Sequence, residues 1–138
     1  MDASIFIEAE RDRFDLAGFL ESLGDAPVAM AAITASELLH GVARAREPEM
    51  RFRRHQFVER LIGDFPVLPF GLAEAREHAR IWAMLATEGK PIGPHDLQIA
   101  ATALVNAAAV ATLNDKEFQR VPGLSLAPIA LFVLRKRR

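Results

Sequence analysis

The segment of residues 97–111 is apolar on almost every side, and this feature restricts the fold more than any other. Its polar side chains are only Gln98, Thr102 and Asn106. A helix that is hydrophobic all round must be buried, so we expect the rest of the chain to wrap around this segment. Pro94 fits the first position of such a helix, where no backbone donor is needed.

Asp96 is a carboxylate in the first turn of this predicted helix. The unpaired backbone N–H groups and the helix dipole favour an ionised acid at that position. Two interpretations are open on this stretch alone. Asp96 either belongs to a metal or acid–base site in a cleft above the helix, or it only neutralises the end of its own helix.

Short apolar runs alternate with helical patterns along the rest of the chain. The predicted strands cover residues 28–33, 65–70, 109–113 and 124–127, and the other predicted helices cover residues 5–8, 12–23, 34–43, 48–62 and 72–87. This alternation predicts an α/β fold of three layers, with a mostly parallel twisted sheet and helices on both faces. The apolar stripe of residues 72–87 includes Trp82, which we therefore expect in the core.

Composition favours one domain over residues 1–138, with a disordered basic tail at residues 135–138. The 17 basic and 18 acidic side chains give a net charge of −1, so nucleic acid could be bound only through local patches. The chain has no cysteine, which excludes disulfides and thiolate zinc sites, and its four histidines show no paired spacing. We found no secretory signal and no apolar run long enough for a bilayer, so we predict a cytoplasmic protein.

Several acids follow predicted strands and would meet at the carboxyl edge of the sheet. Glu37, Asp96 and Asp115 each come after a strand, and Asp2 stands at the start of an element. Converging carboxylates repel one another unless a cation neutralises them. Oxygen ligands without histidine or cysteine suit Mg²⁺ or Mn²⁺, and a metal-activated water could then hydrolyse a phosphodiester.

Each acid also has a purely local explanation. Glu37 stands three residues after Thr34, the spacing of a helix capping box. Asp115 and Glu117 fit a solvated turn, and Asp2 fits a frayed terminus. What favours a shared site is that Glu37, Asp96 and the Asp115 loop all follow predicted strands.

Four blocks of the sequence resemble those of PIN-domain ribonucleases. They are residues 2–4 with the apolar run that follows, residues 34–41, residues 91–101 and residues 112–118. Their order and spacing resemble the VapC toxins of toxin–antitoxin pairs, and residues 121–124 resemble the closing strand of that family. The resemblance implies a Mg²⁺-dependent endoribonuclease that acts on RNA, is restrained by a small antitoxin protein and forms a homodimer.

The resemblance also implies roles for individual residues. Asp2, Glu37 and Asp96 would form the acid triad, with Asp2 and Asp96 as the metal ligands. Asp115 would be the catalytic candidate of the last block. The supporting polar groups would be Ser4, Thr112, Asn114 and Glu117. Asn114 occupies an acid position of the family pattern, so which of Asn114, Asp115 and Glu117 completes the site stays open. Only Met1 precedes Asp2, so the first strand of the family is missing or starts upstream.

Arg44 and Arg46 are candidates for contacts with RNA phosphates. The alternative is that they form part of a solvated helix face. A second hypothesis for the whole chain is a catalytically weak PIN-like module that binds RNA or protein without cutting. A third is a small phosphatase of different fold. Cleavage of RNA that depends on Mg²⁺ and on Asp96 distinguishes the nuclease from both.

Overall fold

The computed structural model describes residues 1–135, which form seven α-helices, two short strands and one 3₁₀ turn. In chain order these elements are α1 (Ala3–Glu10), α2 (Leu16–Ser22), β1 (Met30–Ala31), α3 (Ala32–Arg44), α4 (Pro48–Asp64), β2 (Val67–Leu68), α5 (Leu72–Thr87), α6 (Pro94–Val105), α7 (Asp115–Phe118) and the 3₁₀ turn Ala130–Phe132. Of the predicted basic tail, residues 136–138 lie outside the described part. No described helix combines the length and the apolar character that crossing a membrane requires.

Helix α6 forms the centre of the core, as its apolar sequence predicts. Pro94 occupies its first turn, and Ala100 and Ala101 have no exposed surface. Ile81 and Leu85 of α5 pack in the same apolar cluster. The helix ends at Val105, before residue 111, because Ala107 adopts a left-handed conformation with φ of 50°.

The sheet is much smaller than the sequence predicts. Within residues 1–135, one parallel pair forms a ladder, with Met30 opposite Val67 and Ala31 opposite Leu68. Helix α3 begins immediately after β1, and prolines at positions 66 and 69 flank β2. Since proline has no backbone N–H, neither strand can extend its ladder. The expectation of a large, mostly parallel sheet is therefore wrong in extent.

Single backbone hydrogen bonds extend this pair into a row of five segments. The Met1 amine donates to Ala29 O at 2.7 Å, and Asp2 N donates to Ala111 O at 2.9 Å. On the far side, Val110 N donates to Ser125 O at 2.9 Å. The order across the row is residues 66–68, 29–31, 1–2, 110–112 and 125–127. Asp2 thus lies in the middle of the row.

Two further expectations are wrong. Thr34 does not cap a helix, because α3 begins at Ala32 and Thr34 is buried inside it with no exposed surface. Trp82 is not in the core, because Ile81 and Leu85 form the buried face of α5 and leave the Trp82 side chain 61% exposed. In contrast, α5 begins and ends at the predicted residues.

Candidate active site

Asp2 is a buried carboxylate held by two hydroxyl groups. Its Oδ2 accepts hydrogen bonds from Ser4 Oγ at 2.8 Å and from Thr112 Oγ1 at 2.7 Å. Each hydroxyl is itself fixed by the backbone, since Leu113 N donates to Ser4 Oγ and Asn114 N donates to Thr112 Oγ1. Among the described residues no donor contacts Oδ1, so that oxygen remains available to a ligand.

Asp96 lies in the first turn of α6, half-buried, and contacts the loop after residue 112. Asn114 Nδ2 donates to Asp96 Oδ2 at 2.9 Å. The pKa of Asp96 is raised to about 7, first by burial and then by a hydrogen bond with Glu117 and by the charges of Asp2 and Glu117, while the hydrogen bond from Asn114 lowers it. At neutral pH this carboxyl therefore carries a proton part of the time when no cation is near.

Glu117 is the partner of Asp96 on α7. Its Oε2 accepts a hydrogen bond from Gly93 N at 3.3 Å, at the start of α6. The hydrogen bond with Asp96 lowers the pKa of Glu117, and the Gly93 N–H lowers it as well. When one proton is bound by this pair of carboxyl groups, it is therefore favoured on Asp96.

Glu37 approaches the same place from α3. Burial raises its pKa, and the charge of Asp2 raises it further, while His95 acts in the opposite direction. Glu37 Oε1 lies 3.8 Å from His95 Nδ1 and is a buried oxygen with no hydrogen-bond partner. An unpaired buried acceptor is costly, so this oxygen indicates a place where a donor or a cation would bind.

The structure brings together most of the residues that the sequence singled out. Asp2, Glu37 and Asp96 interact electrostatically, and Ser4, Thr112, Asn114 and Glu117 supply the hydrogen bonds around them. Within the described range, however, no three acidic or histidine side chains are close enough to enclose a metal ion as they stand.

The remaining predicted residues lie further out. Asp115 is exposed and makes none of the hydrogen bonds described above. Arg44 and Arg46 are also exposed. Arg44 and Glu37 line a cavity of about 90 Å³ between α1, α3 and α4. No role for His95 is predicted from the sequence, and the structure places this residue at the surface next to Glu37. Its position next to Asp96 was the signal that could have indicated it.

The chemistry available at this site is that of oxygen ligands. The hydroxyl groups of Ser4 and Thr112 donate to Asp2, so neither is free to act as a nucleophile. The charge of Asp2 helps to raise the pKa values of Glu37 and Asp96, and a divalent cation would relieve this repulsion between carboxylates. The arrangement is therefore suited to binding a hard metal ion.

A family model and two relatives each match most of this chain. A family model described as the PIN domain matches residues 1–124. The chain is 35% identical over 130 residues to ribonuclease VapC1 of Rickettsia felis, covering 94% of this chain and 95% of that protein. It is 32% identical over 114 residues to the tRNA(fMet)-specific endonuclease VapC of Shigella flexneri, covering 83% and 79% of the two chains.

A solved structure shows the same fold. VapBC-5 of Mycobacterium tuberculosis, a member of the VapBC family of toxin–antitoxin systems, matches with a TM-score of 0.72 at 32% identity. The match covers 90% of each chain. The small sheet and the helices around it thus belong to a known α/β arrangement.

Proposed function

We propose that Asp2, Glu37 and Asp96 form the catalytic site of this chain, which belongs to the PIN-domain family and is a VapC ribonuclease toxin of a toxin–antitoxin system. The observation that carries this proposal is that Asn114 joins two of the acids. Its N–H donates to Thr112 Oγ1, which donates to Asp2, and its Nδ2 donates to Asp96. The charge of Asp2 also acts on Glu37. Three acids separated widely along the chain thus share one electrostatic environment, as a metal-dependent nuclease requires.

We propose Mg²⁺ or Mn²⁺ as the cofactor, held by Asp2 and Asp96. The donor set fits, because the available ligands are carboxylate oxygens and the chain lacks cysteine. The unpartnered Glu37 Oε1 and the raised pKa of Asp96 both indicate negative charge without a counterion. When bound, such an ion neutralises phosphoryl oxygens and lowers the pKa of a water ligand.

The side chains around the acids have distinct tasks in this proposal. Ser4 and Thr112 hold Asp2 in one orientation, and Asn114 does the same for Asp96. Glu37 Oε1 accepts a hydrogen bond from the attacking water and aligns it with the phosphorus. Attack by water breaks the bond to the 3′ oxygen and leaves a 5′-phosphate, so the reaction does not use the ribose 2′-hydroxyl.

The geometry favours Asn114 and Glu117 over Asp115 as the residues that complete the site. Asn114 donates to Asp96, and Glu117 connects Asp96 with Gly93. Asp115 is exposed at the start of α7. If Asp115 has a part in catalysis, as the sequence pattern predicts, it acts from the rim of the site.

The proposed substrate is a structured RNA, and tRNA is the first to examine. The relative from Shigella flexneri is named for its specificity towards tRNA(fMet). The sequence predicts that this chain acts in the cytoplasm, where we propose that such a substrate is cut. Arg44, which lines the small cavity beside Glu37, is a candidate for contacts with its phosphates.

We also propose two protein partners. The relation to VapBC-5 supports a small antitoxin that binds and restrains this chain. A second copy of the chain is supported by a row of aromatic rings on the surface of α5 and the loop before it. Phe70 and His78 have ring centroids 5.6 Å apart, and His78 and Trp82 are separated by the same distance.

The test of the proposed function is cleavage of tRNA in Mg²⁺, with and without a chelator. We expect the Asp96→Asn variant, and the wild type in chelator, to lose activity by about a hundredfold or more, because both remove the bound cation. Asp25→Asn, an exposed acid in the turn after α2, is the matched control and should keep full activity. Cleavage that continues in chelator and in Asp96→Asn would contradict the metal mechanism.

A further inference from the structure

A second cleft, with a positive lining, lies beside the candidate active site. It has a volume of about 590 Å³ and is lined by the end of α5, the loop that leads to α6, and α7 with the turn that follows. Three basic side chains line it, those of Lys90, Lys116 and Arg120, together with the single carboxylate of Glu88 and the amide of Gln119. This cleft is distinct from the acidic site, and the mechanism above does not use it.

The three basic residues are exposed and keep their charges available. Across residues 1–135, none of them has a carboxylate oxygen within the 4.0 Å of an ion pair. In contrast, Arg54 is paired with Glu10 and Arg80 with Glu77. Because the whole chain has a net charge of −1, attraction for a polyanion has to come from such a local group of unpaired cations.

The cleft is joined to the acidic site by the loop before α6. Arg120 Nη1 donates to Pro91 O at 2.7 Å, and two residues further on Gly93 N donates to Glu117 Oε2. Lys116 directly precedes Glu117 on α7. The same short loop and the same short helix therefore carry cations on one side and contact Asp96 on the other.

We propose that this cleft binds backbone phosphates of the RNA substrate next to the bond that is cut. The inference rests on the proposed function, because it takes RNA as the substrate of the acidic site. The negative acids would repel an RNA backbone, and adjacent cations compensate by holding phosphates on either side of the reacting one. Phosphate contacts of this kind fix register without reading sequence. A volume of about 590 Å³ exceeds the space that one phosphate needs and suits a nucleotide unit.

The test compares RNA binding by two charge-matched double variants. Lys90→Gln with Lys116→Gln removes two cations from the cleft and keeps Arg120, which holds the loop. Arg53→Gln with Arg60→Gln removes two exposed cations from α4, which does not line the cleft. All proteins also carry Asp96→Asn, so that a labelled tRNA and a short single-stranded RNA are bound without being cut.

We expect the lysine variant to bind both RNAs about tenfold more weakly, while the arginine variant binds like its parent. For the single-stranded RNA, the slope of log affinity against log salt should fall by about 1.4, which is two contacts of about 0.7 each. In an RNA whose backbone is made of uncharged methylphosphonates, the difference between the variants should vanish. Circular dichroism and thermal unfolding establish that both variants are folded.

Equal affinity and equal salt slope in the two double variants would overturn the proposal. So would a lysine variant that binds RNA normally but loses its affinity for the antitoxin, since the cleft would then be a protein-docking surface. The proposed function is judged separately, by cleavage of tRNA with the otherwise unchanged protein in Mg²⁺. If the unchanged protein cuts tRNA and the lysine variant binds RNA normally, the proposed function stands and only the inference about the cleft is refuted.

Discussion

Asp96 shows how a single residue connects the stability of this protein with its chemistry. Its pKa in the fold is raised from 3.8 to about 7. Because the folded value lies above the unfolded one, the stabilising contribution is complete below about pH 4 and is lost as pH rises through 7. In the metal-free protein, the ionised carboxylate at neutral pH is thus a source of instability.

We therefore expect Asp96→Asn to unfold at higher urea concentration than the wild type at about pH 8 in chelator. The gain in the free energy of unfolding should be about 1 kcal/mol, a value reduced for the half-exposed position of the side chain. At about pH 4 the two proteins should be equally stable, because Asp96 is then neutral. Asp25→Asn, the exposed control, should show no such dependence on pH.

Magnesium provides the complementary measurement. Adding the ion should stabilise the wild type, since a ligand that binds the folded state alone shifts unfolding by mass action. The Asp96→Asn variant should respond much less. If the variant is no more stable than the wild type at high pH in chelator, the fold does not disfavour the ionised Asp96 carboxylate as described.

At the scale of single residues, the sequence predicts which side chains belong to the site better than it predicts which atoms they contact. Asp96 is recognisable because a charged residue opens an otherwise apolar helix. The hydrogen bond from Thr112 to Asp2 joins residues 110 positions apart, and no local pattern contains that information. The position of Glu117 between Gly93 and Asp96 depends in the same way on how α7 packs on α6.

Among the elements, α3 contains a buried polar group whose effect on stability can be tested. Thr34 is fully buried in this helix, and its hydroxyl has no hydrogen-bond partner. Valine has nearly the same shape without the polar group. We expect Thr34→Val to raise the free energy of unfolding by about 1 kcal/mol, because a buried hydroxyl without a partner is costly.

Thr102→Val is the matched control for this substitution. Thr102 is also buried in a helix, but its hydroxyl donates to Gln98 O at 2.8 Å. The cost of a β-branched residue in a helix is the same for both variants. Denaturation in urea should show a gain for Thr34→Val and no gain for Thr102→Val. A loss of stability in Thr34→Val would mean that its hydroxyl is satisfied, for example by a buried water.

The helices were easier to predict than the strands for a physical reason. A helix forms its hydrogen bonds within one segment, so the periodic apolar positions of residues 72–87 and Gly89 after them specify α5. A strand depends on partners elsewhere in the chain. The apolar run of residues 28–33 predicts a strand, but only the packing shows that β1 contains two residues and that α3 begins at Ala32.

At the scale of the whole molecule, the aromatic row of Phe70, His78 and Trp82 predicts self-association. Trp82 is 61% exposed and Phe70 is 37% exposed, and exposed apolar groups that adjoin one another are typical of interaction surfaces. We expect light scattering to give twice the mass of one chain for the wild type. Trp82→Gln should shift the protein towards monomer without loss of thermal stability.

Arg76→Gln, an exposed substitution on the same helix, is the control and should leave the mass unchanged. A wild type that is monomeric at all accessible concentrations would refute the homodimer. A Trp82→Gln variant with an unchanged dimer fraction would place the contact between copies elsewhere.

The link between Asp2 and Thr112 has a consequence for how the toxin comes into being. During synthesis Asp2 is made well before Thr112, and the hydroxyl that holds its carboxylate follows 110 positions later. Asn114, which holds Asp96, comes later still. The acidic site therefore cannot assemble on a growing chain before Thr112 and Asn114 have both been made.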